Sequence, residues 1–155
     1  MPHLTAEYPM SSPQGVVAPR LLTVLSGYAQ RDDFTLTVDI GLAHAAMSAP
    51  VRIQLGDGRS ATAIPFTLGA REHTDWFPAF RGELRSDAEG PLSSRLLLIG
   101  DYEIPLGTIG TIVNRSLLGN AAERSLRAFG ERFRADVLDE IRRGELDIRR
   151  HEQHT

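Results

Sequence analysis

Cysteine is absent from all 155 residues, which excludes disulfides, thiol nucleophiles and any cysteine-held zinc or iron–sulfur centre. Lysine is absent as well, so all 17 basic residues are arginine. Without a lysine amine there is no Schiff-base chemistry and no Walker-type phosphate grip. The lack of lysine fits the coding bias of a GC-rich genome. Positive charge is not in surplus: the net charge is −3, which gives no electrostatic footprint for nucleic acid. No apolar run approaches the roughly 18 residues of a membrane span, and the N-terminus lacks the basic start and apolar stretch of a signal peptide. The expectation is a cytoplasmic protein with no membrane span. At this length it is one domain with a core of its own.

Prolines cluster at the start. Pro2, Pro9, Pro13 and Pro19, with Ser11, Ser12 and Gly15 between them, read as an arm or a strap over the body, residues 1–19. Residues 20–146 read as the folded domain and residues 147–155 as a frayed polar tail. Leu21 to Tyr28 is apolar and partly β-branched; strand is preferred over a short helix. Phe34 to Leu42 alternates, with Phe34, Leu36, Val38 and Ile40 on one face, as a half-buried strand does. The alanine-rich stretch Leu42 to Ala49, closed by Pro50, reads as one or two helical turns.

Val51 to Leu55 is a strand ending in the turn signal Gly56-Asp57-Gly58. Ala61 to Leu68 returns beside it, with Pro65 pointing to an edge or a bulge. Trp76 to Leu84 is a further strand, Ser86 to Gly90 a turn, and Arg95 to Ile104 a strand. Its run Leu96-Leu97-Leu98-Ile99 suits a strand covered on both faces. From Leu118 onward, Leu118, Ala122, Leu126, Phe129, Phe133, Val137 and Ile141 recur every three or four residues, one stripe of a long helix. Asn114 or Ser116 would cap it and Gly144 would end it. Over residues 116–143 such a helix is roughly 40 Å long. The pattern predicts an α+β protein in which a curved antiparallel sheet of five or six strands wraps around a long C-terminal α-helix.

Three groups of residues carry that reading further: Trp76-Phe77-Pro78-Ala79-Phe80-Arg81-Gly82-Glu83-Leu84, Gly100-Asp101-Tyr102-Glu103-Ile104-Pro105-Leu106-Gly107, and the final helix. Together they resemble the helix-grip superfamily of START lipid-transfer domains, birch-pollen-allergen proteins and polyketide cyclases, also written SRPBCC. Small uncharacterised bacterial members are the nearest pattern. The resemblance spans about Val51 to Ile141 and implies an apolar cavity between sheet and helix, open at one end. The pair of helices usual after the first strand is here shortened to about Leu42–Ala49, or replaced by the N-terminal region.

Candidate chemistry is sparse. Gly100, Gly107 and Gly110 lack the βαβ setting of a dinucleotide fingerprint and read as turn and bulge residues. Glu72, His73 and Asp75 form the one compact ionisable cluster, suited to a general-base pair or two metal ligands, and otherwise a polar loop. His44 stands alone. No second cluster completes a metal site, so neither metal nor cofactor is expected. Tyr102 and Glu103 must face opposite sides of a strand; a buried Tyr102 would need a partner for its hydroxyl. Gly130, costly inside a helix, asks for close packing or room for a ligand. Arg124, Arg127 and Arg134, near Glu123, Glu131 and Asp136, read as a solvated ion-paired face.

The function expected is binding of a small apolar or amphipathic ligand between sheet and helix, with Phe66, Arg71, His73, Trp76, Phe80, Tyr102 and Phe129 as ligand-binding residues and none assigned to catalysis. Two alternatives stand beside it. One is a cyclase- or dehydratase-like enzyme using His73 with Asp75. The other is a structural protein with a filled cavity, in which a second copy of the chain covers the cavity mouth as a homodimer.

Overall fold

Period-two burial runs along the strands. In the computed structural model, which describes residues 2–39, 46–71, 79–103 and 115–153, the elements are β1 (His3–Met10), α1 (Gln14–Gln30), β2 (Thr35–Asp39), β3 (Ala46–Leu55), β4 (Ala63–Ala70), β5 (Phe80–Gly90), β6 (Ser93–Tyr102) and α2 (Arg115–Gln153). All strand pairs are antiparallel, in the order β1-β6-β5-β4-β3-β2. The sheet curls as a half-barrel with the long C-terminal helix against it. Leu4, Ala6, Tyr8 and Met10 of β1, Ile64, Phe66 and Leu68 of β4, and Leu96 and Leu98 of β6 line one face and join α1 and α2 in a single core.

The segment expected as an arm is therefore the edge strand of the sheet. Its alternation of Leu4, Ala6, Tyr8 and Met10 supplies an apolar face, and it pairs along β6 from His3↔Asp101 to Met10↔Ser94. Leu21 to Tyr28 is not a strand but the second half of α1. Val17, Leu21, Val24, Leu25 and Tyr28 are buried at helical spacing, and that one-sided stripe outweighs the local β preference. Pro19 lies inside the helix. It is exposed, so the bond it removes is on the side where water can replace it. α1 between β1 and β2 is the N-terminal replacement for the usual helix pair.

Pro50 does not close a helical turn. It sits within β3 where that strand changes partner: Ala46–Pro50 pairs with β2, and Val51–Leu55 pairs with β4. Pro65 is on neither an edge strand nor a bulge, since β4 lies between β3 and β5. It stands one residue past the last β3–β4 pair, Leu55↔Phe66, where its carbonyl accepts from the Gly56 amide (2.8 Å). Its missing N–H thus falls at the end of a ladder, a place a sheet tolerates proline. The Gly56-Asp57-Gly58 signal does turn the chain, and Gly58 adopts φ 85°, which favours glycine. Ser86 to Gly90 is strand rather than turn; β5 runs on to Gly90 and reverses at Pro91-Leu92, with an irregular register at Ala88/Gly90.

In α2 the stripe Ala122, Leu126, Phe129, Phe133, Val137 and Ile141 is buried throughout. The helix has 39 residues, about 58 Å at 1.5 Å rise per residue. It passes through Gly144 and takes in most of the expected tail. Gly144 is therefore not a helix end, and a Cβ there would meet only the tip of the Arg20 side chain, at 3.0 Å. Asn114 lies outside the described residues. Arg127 pairs with Glu123 at 2.9 Å as a solvated face would have it. Arg134 does not fit that reading, because its Nε donates to the Pro9 carbonyl (3.0 Å), and Asp136 accepts from the Tyr28 hydroxyl.

Gly130 resolves to close packing. Any Cβ there would overlap the hydroxyl and ring of Tyr8, whose phenol donates to the Arg127 carbonyl (2.8 Å). Helix propensity alone makes Gly130→Ala worth about 1 kcal/mol of added stability. The overlap should reverse this, and urea melts should show a loss of about 1–3 kcal/mol, the usual scale of overpacking. In a Tyr8→Leu background the same change should stabilise. A stabilising Gly130→Ala in both backgrounds would mean that the ring does not rest there.

Candidate functional site

The space between sheet and α2 is aromatic. Phe66 stands 5.4 Å from Phe80 and 5.9 Å from Phe129, centroid to centroid. Phe129 continues to Phe133, Phe34 and Tyr28 at 6.1–6.4 Å. These separations are those of favourable aromatic pairs. Phe80 owes its place to a gap. Gly82 and Gly100 face each other across β5 and β6, and a Cβ on either would come within 2.7 Å of the Phe80 ring. The ring therefore lies over backbone that any side chain would cover. Gly100 is a strand residue serving this contact, not a turn or bulge residue; Gly107 and Gly110 lie outside the described residues.

Tyr102 is the register partner of Phe80. It is only 6% exposed, whereas Glu103 faces solvent, as their adjacency requires. Burial first, then the charge of Glu123, pushes the Tyr102 phenol above its ordinary range, with Arg127 acting the other way. Its side chain thus reaches toward the Glu123–Arg127 turn of α2. Among the described residues its hydroxyl has no hydrogen-bond partner.

Of the seven sequence-predicted ligand-binding residues, the fold brings Phe66, Phe80, Tyr102 and Phe129 together. Arg71 sits elsewhere. Its guanidinium donates to the Val51 carbonyl (3.3 Å) and the Arg31 carbonyl (3.0 Å), tying the end of β4 to the corner where β3 changes partner. His73 and Trp76 lie outside the described residues, as do Glu72, Asp75 and His44. Among the described residues no group of three or more metal-ligating side chains forms.

Sequence reasoning did not find the groups that fix α2 over this space. Tyr28 is 4.5 Å from Phe34 and its hydroxyl donates to Asp136. The Arg132 guanidinium lies 4.5 Å above the Phe34 ring and donates to the Thr35 carbonyl (3.1 Å), a cation–π contact joined to a hydrogen bond. The signal for Tyr8 was its place in an alternating apolar segment. For Tyr28 it was the helical spacing of α1.

Burial, then the Glu131 charge, pushes the Tyr8 phenol up to about 12 against a partial lowering by Arg127. Burial followed by the hydrogen bond to Asp136 raises Tyr28 further. The folded protein therefore holds these protons more tightly than the unfolded chain, whose tyrosines titrate near 10. Their contribution is complete below about pH 10 and is lost as pH climbs through 12 and beyond. Urea-derived stability should fall from about pH 10 upward, by about 2–3 kcal/mol for Tyr8 alone. Tyr8→Phe should remove its share of the slope; a flat profile between pH 10 and 12 would contradict the burial of these phenols.

Three solved structures share this architecture. A conserved protein from Geobacillus kaustophilus superposes with a TM-score of 0.61 at 13% identity, covering 89% of this chain and 96% of its own. A Thermus thermophilus protein gives 0.55 at 18% identity, over 90% and 99% of the two chains. The Zhui aromatase/cyclase of a Streptomyces strain gives 0.50 at 20% identity, over 92% and 94%. The chain has the helix-grip fold. No protein-family model and no curated protein matches the sequence. Identities this low carry the fold alone. No helix among the described residues is long and apolar enough to cross a membrane.

Proposed function

We propose that the protein binds a small apolar or amphipathic molecule between the sheet and α2, at the end where Phe80 and Tyr102 stand. The observation that carries this reading is Tyr102: its side chain is buried, yet its hydroxyl has no partner among the described residues and is not one of the polar atoms sealed from solvent, so a ligand can reach it. A phenol in that condition beside aromatic rings is the kind of single polar group that orients a ligand against apolar walls. The helix-grip architecture and the convergence of Phe66, Phe80 and Phe129 support it. Elsewhere in the interior the Tyr28 ring packs against Phe34 and Phe133. A cyclase- or dehydratase-like reaction would rest on His73 and Asp75, outside the described residues, so binding is the function proposed.

Native mass spectrometry of the purified protein, followed by titration with a naphthalene-sulfonate dye, tests this. One saturable site is expected. Tyr102→Phe should weaken binding about tenfold, the scale of one lost hydrogen bond, while changing urea stability by less than about 1 kcal/mol. Phe129→Ala should cost both binding and about 3–5 kcal/mol of stability. Absence of any saturable uptake, or uptake indifferent to both changes, would refute the proposal.

A further inference from the structure

The outer face of the sheet, away from α2, holds a trough of about 570 Å3 lined in part by Arg52, Thr67, Gly69, Arg81, Asp101 and Glu103. That volume is within the range of small-molecule sites. Strand register lays out its floor. Arg52 of β3 is opposite Gly69 of β4, and Thr67, two residues back on β4, is opposite Arg81 of β5. β4 thus presents only a hydroxyl and a bare backbone between two arginines. The strands that carry them are about 10 Å apart, so two guanidinium groups can close on one ligand from opposite sides.

The charges around the trough are arranged unlike those on the rest of this face. Arg85 is paired with Asp87 at 2.9 Å, and Arg95 with Glu7 at 3.2 Å and with Glu89. Arg52 and Arg81 have no acidic partner among the described residues. For Arg81 this is unexpected, since Asp101 lies directly across the ladder. The Asp101 carboxylate is instead hydrogen-bonded to His3 Nδ1 at 2.9 Å, because β1 brings His3 opposite it on the other side. The edge strand thus gives Asp101 a second cross-strand partner, while its carboxylate still lines the trough beside Arg81. Gly69 adds room, since a Cβ there would meet nothing within 4 Å.

We propose that this trough binds a metabolite-sized organic anion, whose carboxylate or phosphate oxygens lie between the Arg52 and Arg81 guanidinium groups above Thr67 and Gly69. Arginine forks match such oxyanions bidentately, and Asp101 and Glu103 on the β6 side of the trough disfavour a ligand that is anionic throughout.

The test is an NMR titration of the full chain with inorganic phosphate and, separately, with succinate, following the Arg52 and Arg81 Nε–Hε signals and the Thr67 and Gly69 amides. Saturable shifts confined to these groups, in the millimolar range or tighter, are expected with at least one probe, and the probe that binds says which oxyanion is preferred. Chloride at equal ionic strength should not reproduce them. Arg52→Gln and Arg81→Gln should each weaken binding about tenfold without unfolding an exposed site. His3→Ala should weaken binding as well, by returning Asp101 to Arg81. Shifts that never saturate, that saturate elsewhere, or that persist unchanged in the Arg52→Gln/Arg81→Gln double variant would overturn the proposal. Dye uptake in the interior should be the same in that double variant, so the two sites can be told apart.

Discussion

β1 and β2 stand at opposite ends of the strand order, and one helix is fastened to both. On the β1 side, the Tyr8 hydroxyl and the Pro9 carbonyl bond to the Arg127 carbonyl and the Arg134 guanidinium. On the β2 side, the Thr35 carbonyl accepts from Arg132, whose guanidinium also covers Phe34. An open sheet leaves two rows of unpaired backbone groups, which proteins commonly cover or close. Here α2 bridges the two edges across the concave side, and the curl of the sheet is held at the diameter that the helix and its aromatic stripe fill. Everything in the interior, including the proposed ligand site, depends on that span being fixed.

The two helical glycines differ. Gly130 is where α2 rests on the Tyr8 ring and gives up helix propensity of about 1 kcal/mol for that contact, whereas a Cβ at Gly144 would meet only the movable tip of the Arg20 side chain. From sequence, a glycine after an apolar stripe is read as a stop because C-terminal caps favour it. Nothing local distinguishes a cap from a glycine inside the helix. Beyond Gly144 the helix is exposed, including Leu146 at 55% and Ile148 at 59%. Its continuation rests on helical hydrogen bonding, and the basic residues Arg150 and His151 in the last turn suit the negative end of the helix dipole.

What was legible in the sequence was the stripe of α2, the alternation that opens β2 at Phe34 and Leu36, and the apolar run of β6, since the first two periods are set by the backbone. The N-terminal third was misread because its punctuation was weighted above its period. Pro9 and Pro13 sit at the end of an edge strand and just before a helix, two positions where proline removes no needed hydrogen bond. Such prolines mark boundaries, not disorder. Likewise Pro65 falls where β3 ends, which can be known only once the register is known. The aromatic half of the candidate site was visible as residue types; the association of Tyr28 with Asp136 and Arg132 was not, because it joins α1 to α2 across 108 positions of the chain.

The three tyrosines divide the interior by what their hydroxyls do. Tyr8 and Tyr28 are both committed to α2, one to a backbone carbonyl and one to a carboxylate, and both lose that role if ionised. Their rings and hydroxyls are spent on position. Tyr102 is as little exposed but stands at the end of β6, beyond the edge contacts that hold the helix and across the ladder from Phe80, whose ring lies over the paired glycines. Its hydroxyl is not among the polar atoms sealed from solvent, so water can serve it in the free protein and a ligand oxygen can take that water's place. The same helix grip that makes two tyrosines structural therefore leaves the third as the group able to respond to what enters.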